Sequence, residues 1–404
     1  MAALKDLFPN PNAAELELAG LYAGLKANPQ RERNFEAFAQ TGLPHTRVEA
    51  WKYSDLRNAV QILPEAGIEP EMTSASAFAS ADATVIEIGA GVPKLPKGMR
   101  VASEENLTAL GGAEDLPVAA LGAALARAGQ SLLIEVTQSP EKPVHLVFDT
   151  ASANAFQRVS FVVRKGVQFS VLESHIRSGG FSSIVLEYSV EAGASLERFI
   201  YQKADTSAVQ VATCIIHLAD DTSLSQAGIG FGAKLARMET QVYHHGENAK
   251  ASINGAYLVG DGYHLDQTSL VRHAQPHCET EQLVKGAVMD GGRAVFQGKF
   301  FVAKKAQKTA AQMAHNALIL ENGGEVNAKP ELEIYADDVE CAHGNTVGAL
   351  DETALFYMRQ RGIPETQARA LLTRAFIGEA LDDMPEALGE ILMEEAGAWL
   401  TERL

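Results

Sequence analysis

Turn signals recur at a nearly fixed interval through the middle of the chain, and this rhythm restricts the fold more than any other feature. Lys165-Gly166, Ala192-Gly193, Asp220-Asp221 and Glu247-Asn248 follow one another roughly every 27 to 28 residues. Between them, runs such as Val159-Ser-Phe-Val-Val, Ser183-Ile-Val-Leu-Glu-Tyr and Leu196-Glu-Arg-Phe-Ile-Tyr alternate β-branched or aromatic residues with polar ones, which is strand chemistry. It is sustained for about 200 residues from Ser131 onward. Coils that each lay two or three short strands on the last satisfy both observations, so the spacing predicts a β-helix or β-solenoid, with a large sandwich as the alternative. The later turns Asp261-Gly262, Asp290-Gly-Gly and Asn322-Gly-Gly depart from the interval.

Helical patterns flank this region. Ala13 to Ala27, Gln30 to Gln40 and the Ala-rich Ala119 to Ala128 read as helices, giving a helix-rich segment over residues 1–130 before a β core over 131–346. Residues 347–404 read as a C-terminal helical domain. Asp351 is a suitable N-cap before Glu352 to Arg361, Gly362 stands where a glycine ends a helix, and Pro364 can open the next one. Ala368, Leu371, Leu372, Ala375 and Phe376 then recur at helical spacing as one apolar stripe, and Met384-Pro385 starts a third helix.

A formal net charge of −17 sets the chain against phosphate backbones and anionic lipid surfaces. Three cysteines, Cys214, Cys278 and Cys341, are widely spaced without a CxxC pair, which argues against a disulfide framework and for a reducing, cytoplasmic setting. The opening residues lack the apolar run of an export signal, and the most apolar stretch, Leu116 to Val136, is interrupted by Arg127 and Gln130.

Catalytic signatures are scarce. Gly298-Lys299-Phe300 lacks the remaining glycine and hydroxyl residue of a phosphate-binding loop, so the chain is not expected to hydrolyse ATP. Gly228-Ile-Gly-Phe-Gly-Ala-Lys has no βαβ context, and glycines in strand-rich regions mark bulges and close approaches. Neither a GxSxG elbow nor an HExxH zinc motif occurs, and the chain reads as a non-enzyme. His244-His245 and the group Arg272-His273, His277-Cys278 offer imidazole and thiol ligands for a metal, or else are surface and hydrogen-bonded core residues. Cys341 and His343 form a sharper pair: two apart on an extended strand, their side chains share a face and make half of a metal site. The bland alternative is a buried thiol beside a histidine tucked into the turn before Gly344.

The stretch from Lys329 to Ile363, with Asp337-Asp-Val-Glu-Cys-Ala-His-Gly-Asn-Thr at its centre, closely resembles the shared C-terminal signature of the SufB/SufD family. Ala294-Val-Phe-Gln-Gly-Lys, Ala306-Gln-Lys-Thr and Asn316-Ala-Leu-Ile-Leu resemble the family's core segments, and Arg47-Val-Glu-Ala-Trp-Lys-Tyr-Ser-Asp-Leu resembles the entry motif of the SufD branch. The resemblance implies a right-handed parallel β-helix between helical domains. It also implies pairing with SufB through the β-helix and with the ATPase SufC through the C-terminal helices. Iron or a transient iron–sulfur cluster would be shared with SufB, with His343 and its neighbour Cys341 as metal ligands. A flavin would belong only to the assembled complex. Phe356, Leu371, Leu372, Ala375, Phe376 and Glu379 are then the candidate SufC contacts. Where the family commonly reads Cys-Ser-His-Gly-Ala-Thr this chain has Cys341-Ala-His-Gly-Asn-Thr, keeping thiol and imidazole but not the hydroxyl. Rival readings are a structural partner of SufB that offers no ligand, a β-helix carbohydrate-active protein, and a homodimer formed when SufB is absent.

Overall fold

A computed structural model describes residues 8–63, 76–89, 91–102, 112–127, 129–148 and 153–404. Ala128, the end of the Ala-rich segment, and the first seven residues lie outside them. Strands alternate between two sheets as the chain advances. Asn154–Val163, Phe181–Val190, Val209–Leu218, Leu235–His244, His264–His273, Arg293–Val302 and Glu325–Ile334 stack in one. Gln168–Arg177, Ser195–Ala204, Ser223–Gly230, Glu279–Val288, Ala310–Ile319 and Glu340–Gly348 stack in the other, with the broken pair Lys250–Ile253 and Gly255–Val259 between them. Every neighbouring pair in these stacks is parallel. The result is the expected parallel β-solenoid, of about eight turns, and the sandwich alternative is set aside.

One corner of the solenoid explains the rhythm. Gly166, Gly193, Asp221, Asn248, His277 and Lys308 all have positive φ. Each donates its N–H across to the next coil, from Gly166 to the Ala192 carbonyl through to Lys308 and the Asp338 carbonyl. Gly, Asp and Asn tolerate this left-handed backbone best, so the first four positions are visible in the sequence and His277 and Lys308 are not. The turns that depart from the interval belong to a different corner, where Asp261 and Gly262 donate to the Asp290 and Gly291 carbonyls. Coils also lengthen along the chain, from the Asn154–Phe181 step to the Arg293–Glu325 step.

The long core inside the solenoid is aliphatic and aromatic, built on residues such as Phe161, Val171, Leu186, Ile216 and Val271. Outer faces are covered as well, which is why strands such as Asn154–Val163 are buried nearly throughout rather than in alternation. The helices Ala13–Ala23, Pro29–Thr41 and Pro117–Leu125 cover Phe156, Phe181, Val211 and Leu235 of the first sheet. At Gly122 the helix approaches Ser183 so closely that a Cβ would meet its Oγ at 2.5 Å. Helices Glu352–Gln360, Glu365–Gly378 and Glu386–Arg403 follow the solenoid, and Leu392, Trp399 and Leu400 cover Phe199, Ile229 and Leu258 of the second sheet. Asp351 caps the first of these, its Oδ1 accepting from Thr353 N–H at 2.8 Å, and Gly362 turns the chain at φ 83°. The first helix stops at Ala23, short of Ala27, because Gly24 caps it. The N-terminal region also adds a strand, Thr84–Ile88, beside Val144–Phe148.

Candidate functional site

The last coil consists of Glu325–Ile334 and Glu340–Gly348, the terminal strand of each sheet. Among the described residues, each pairs along one edge alone. Cys341 lies opposite Ala311 and His343 opposite Met313, and since Ala311 and Met313 belong to the interior core, the thiol and the imidazole continue the inward-facing row. Among the described residues, no further coil covers them. Cys341 is half-buried against Val302, Ala306 and Ala336, and His343 is exposed. Burial pushes the Cys341 thiol up from its ordinary value, partly offset by the Ala311 N–H. Val326, Ala328 and Leu332 of the facing strand are only partly buried on the same core, while Ile334, Tyr335 and Val347 are exposed. Two positions along the row, Asn345 Oδ1 lies 2.7 Å from His315 Nδ1, whose Nε2 is 3.0 Å from Tyr257 Oη. The structure thus places the predicted pair side by side at the open mouth of the core.

The other histidine and cysteine candidates separate. His277 is a corner residue. His245 is exposed and stacks on His217 at 5.1 Å, whereas His244, His273 and Cys278 meet in the interior. Gly228 and Gly230 lie inside a strand, where a Cβ would strike Ile200 or Leu265; this is close packing, not a nucleotide loop.

The apolar stripe of the C-terminal helices is divided between two faces. Ala368 is fully buried, and Leu372 and Phe376 pack against the solenoid, with Lys285 Nζ 4.4 Å from the Phe376 ring centre and paired with Glu379. Leu371, Ala375 and, on the preceding helix, Phe356 face outward, and Glu379 is exposed too. They border a groove with Arg374, Met384 and Met393, except Phe356, which stands apart.

Buried charge was not foreseen from the sequence. Glu173 and Arg198 make two hydrogen bonds of 2.6 and 2.7 Å inside the solenoid. Burial alone would raise the Glu173 pKa, but Arg198 and His175, 2.9 Å away, bring it to about 2. Arg237, fully buried, bonds Asp266 at 2.9 Å, Glu239 at 3.2 Å and the Ala50 carbonyl at 2.8 Å. Its guanidinium lies 4.2 Å from the Trp51 ring centre, and Ser54 Oγ donates to Asp266 at 2.6 Å. This gives the segment from Arg47 to Leu56 its physical meaning: it is a clamp that holds the N-terminal region on the outside of the solenoid.

With this geometry in hand, comparison with known proteins is decisive. The sequence profile described as "SUF system FeS cluster assembly, SufBD core domain" matches residues 146–376, more than half of the chain. The chain belongs to the SufBD family. Its relatives include the iron–sulfur cluster assembly protein SufD of Escherichia coli (strain K12), 29% identical over 400 residues and covering 94% of both chains. The iron–sulfur cluster assembly SufBD family protein slr0076 of Synechocystis is 28% identical over 383 residues, covering 85% of this chain and 84% of its own. Family protein ML0594 of Mycobacterium leprae is 33% identical over 221 residues, 52% of this chain and 56% of its own. The full-length likeness makes this a SufD-like member. Among the described residues, no helix is long and apolar enough to cross a membrane.

Proposed function

We propose that this SufD-like chain serves iron–sulfur cluster assembly as a non-catalytic scaffold subunit that joins a SufB-type partner at the open end of its solenoid. The observation that carries this reading is the bare terminal coil: two parallel edge strands, an uncovered apolar row and the Cys341–His343 pair at one place. Exposed edges of this length are templates for pairing with another chain. A metal ion arriving there finds one thiol and one imidazole, half of what iron or a small cluster requires, so the cargo would be completed by ligands from the partner. Leu371, Ala375 and the groove beside them suit a second docking event by a SufC-type ATPase, which would supply the work that this chain has no phosphate loop to perform.

The test is to co-express the chain with SufB-type and SufC-type partners, purify anaerobically through a tag on this chain alone, and record composition and visible absorption after reconstitution. The scaffold reading expects both partners to be retained and the cluster chromophore to be lost in His343→Ala with the complex intact. Failure to retain either partner would reject it. Loss of the complex in His343→Ala would favour a structural role for that residue.

A further inference from the structure

The inward corner position at the end of each strand in the first sheet forms a continuous column. Val136, Val163, Val190 and Leu218 fill it on one side, Val302 and Ile334 on the other. Only two successive coils break this aliphatic run, with His244 opposite His273. Across the corner, the residue before the second-sheet strand is Ala194, Thr222, Ala249 and Thr309 on neighbouring coils, and on the coil of His273 it is Cys278. The next inward position is Leu224, Ala251 and Ala311 on neighbouring coils, and Thr280 here. The unusual side chains of this column therefore converge.

One ring nitrogen of each histidine and the Cys278 Sγ lie within 4.8 Å of one another, all three residues buried. The imidazoles stack at 4.4 Å and 11°. Thr280 Oγ1 is 3.2 Å from Nε2 of both rings, and both Nδ1 atoms are buried without a hydrogen-bond partner among the described residues. Packing alone would put aliphatic side chains here, as the adjoining coils do, and hydrogen bonding alone leaves two ring nitrogens orphaned. A hydroxyl has two acceptor lone pairs. Thr280 can accept an N–H from both Nε2 atoms, which leaves a lone pair on each Nδ1, the arrangement by which an outer group orients metal-ligating histidines.

We propose that His244, His273 and Cys278 form a buried site for a single divalent transition-metal ion of intermediate softness, Zn²⁺ or Fe²⁺. Neutral imidazole and thiolate are the ligands such ions favour. Burial keeps His244 well below its ordinary pKa and brings His273 to about 4, so both rings offer lone pairs at neutral pH. Burial also raises the Cys278 thiol; binding forms an Sγ–metal bond and releases the thiol proton to solvent, with no change of oxidation state. Metal–nitrogen bonds of about 2.0–2.1 Å and a metal–sulfur bond of about 2.3 Å require the three ligand atoms to draw together by side-chain rotation. Exposed His245, next in the chain and 2.9 Å from His217, marks the surface side of the same corner. Thr280 lies opposite Ala311, and Ala311 opposite Cys341. The site is thus two strand spacings, about 10 Å, inside the open end and distinct from the Cys341–His343 pair.

The full chain, reduced and stripped with a chelator under anaerobic conditions, would be titrated with Co²⁺ as the probe. The expected result is one Co²⁺ per chain with a thiolate-to-metal charge-transfer band and the visible bands of tetrahedral cobalt. Zn²⁺ and Fe²⁺ would then be titrated against this form, and the ion that displaces cobalt at the lower concentration is the preferred occupant. Cys278→Ala, which copies Ala249 of the preceding coil, should remove the charge-transfer band. His244→Leu with His273→Val, copying Leu218 and Val302, should weaken binding by about a hundredfold or more while the metal-free chain still melts cooperatively. Cys341→Ala should leave the spectrum unchanged. The proposal is overturned by the absence of a thiolate band in the unaltered chain, or by a band that survives Cys278→Ala and disappears in Cys341→Ala.

Discussion

The two ends of the solenoid are built from the same kind of strand and finished in opposite ways. At the first end, Met99–Val101 runs antiparallel to Ser131–Val136, and Thr84–Ile88 closes the other sheet with Ile86 and Ile88 fully buried. A three-residue antiparallel strand stops the parallel ladder, because it offers too short an edge for another coil. At the last end, two long parallel strands stop without such a piece among the described residues. Glu325–Ile334 is nowhere fully buried and Glu340–Gly348 is mostly exposed. The inward-facing residues of the terminal strand at the first end are buried and those of the last coil are not, so the open end keeps the sequence of a core without its environment. A metal-ligating pair there remains within reach of a second chain.

The comparison makes graded predictions. The largest effect should come from the covered coils: Arg198→Ala takes the permanent counter-charge from the buried Glu173, leaving it only His175 and the Tyr188 hydroxyl, and the loss expected from breaking a buried ion pair is about 3–5 kcal/mol. Urea unfolding measures it, and pairing the change with Glu173→Gln should restore a large part. Next, Ile88→Ala at the closed end should cost about 2–5 kcal/mol, whereas Leu332→Ala at the open end should cost less than about 1.5 kcal/mol, since its side chain is already part-solvated. Equal losses at the two ends would break the contrast.

Acid should attack the covered coils too. Burial, the largest influence on each, brings His145, His264 and His273 to about 4 from an ordinary 6.5. The unfolded chain binds protons below pH 6.5 that the native chain refuses, so stability is full above 6.5 and drains as pH falls toward 4. Glu173, lowered to about 2, adds a second loss below its ordinary 4.5. Urea midpoints measured between pH 8 and pH 4 should therefore be flat and then fall; a flat profile throughout would mean that these histidines are not buried as neutral rings. The smallest effect on the isolated chain belongs to Tyr335→Ser and Val347→Thr, within about 0.5 kcal/mol, yet both should reduce retention of a SufB-type partner.

Much of this architecture is legible in the sequence, because left-handed corners favour Gly, Asn and Asp and so record the coil length. Two corners were superimposed in that record, and only the structure separates Asp221 and Asn248 from Asp261 and Gly291. His277 and Lys308 hold the same backbone conformation with side chains that carry no such signal. Cys341 and His343 were readable because alternation along one strand is local. The His244–His273–Cys278 cluster depends on which residues lie one coil apart; once the interval is known, the two histidines can be found at equivalent positions, but Cys278 reaches them only across a corner. Buried partners such as Arg237 and Asp266 leave no local pattern. The C-terminal stripe shows the limit of periodicity: it correctly marks a helix with an apolar side, yet it cannot tell Leu372 and Phe376, which seat the helix on its own solenoid, from Leu371 and Ala375, which face away.

Amide hydrogen exchange on the full chain, alone and with a SufB-type partner, tests the central claim most directly. The account predicts new protection concentrated in Glu325–Ile334 and Glu340–Gly348, with Met99–Val101 and Thr84–Ile88 unchanged. Protection that arises instead at the closed end, or nowhere in the last coil of a formed complex, would contradict it.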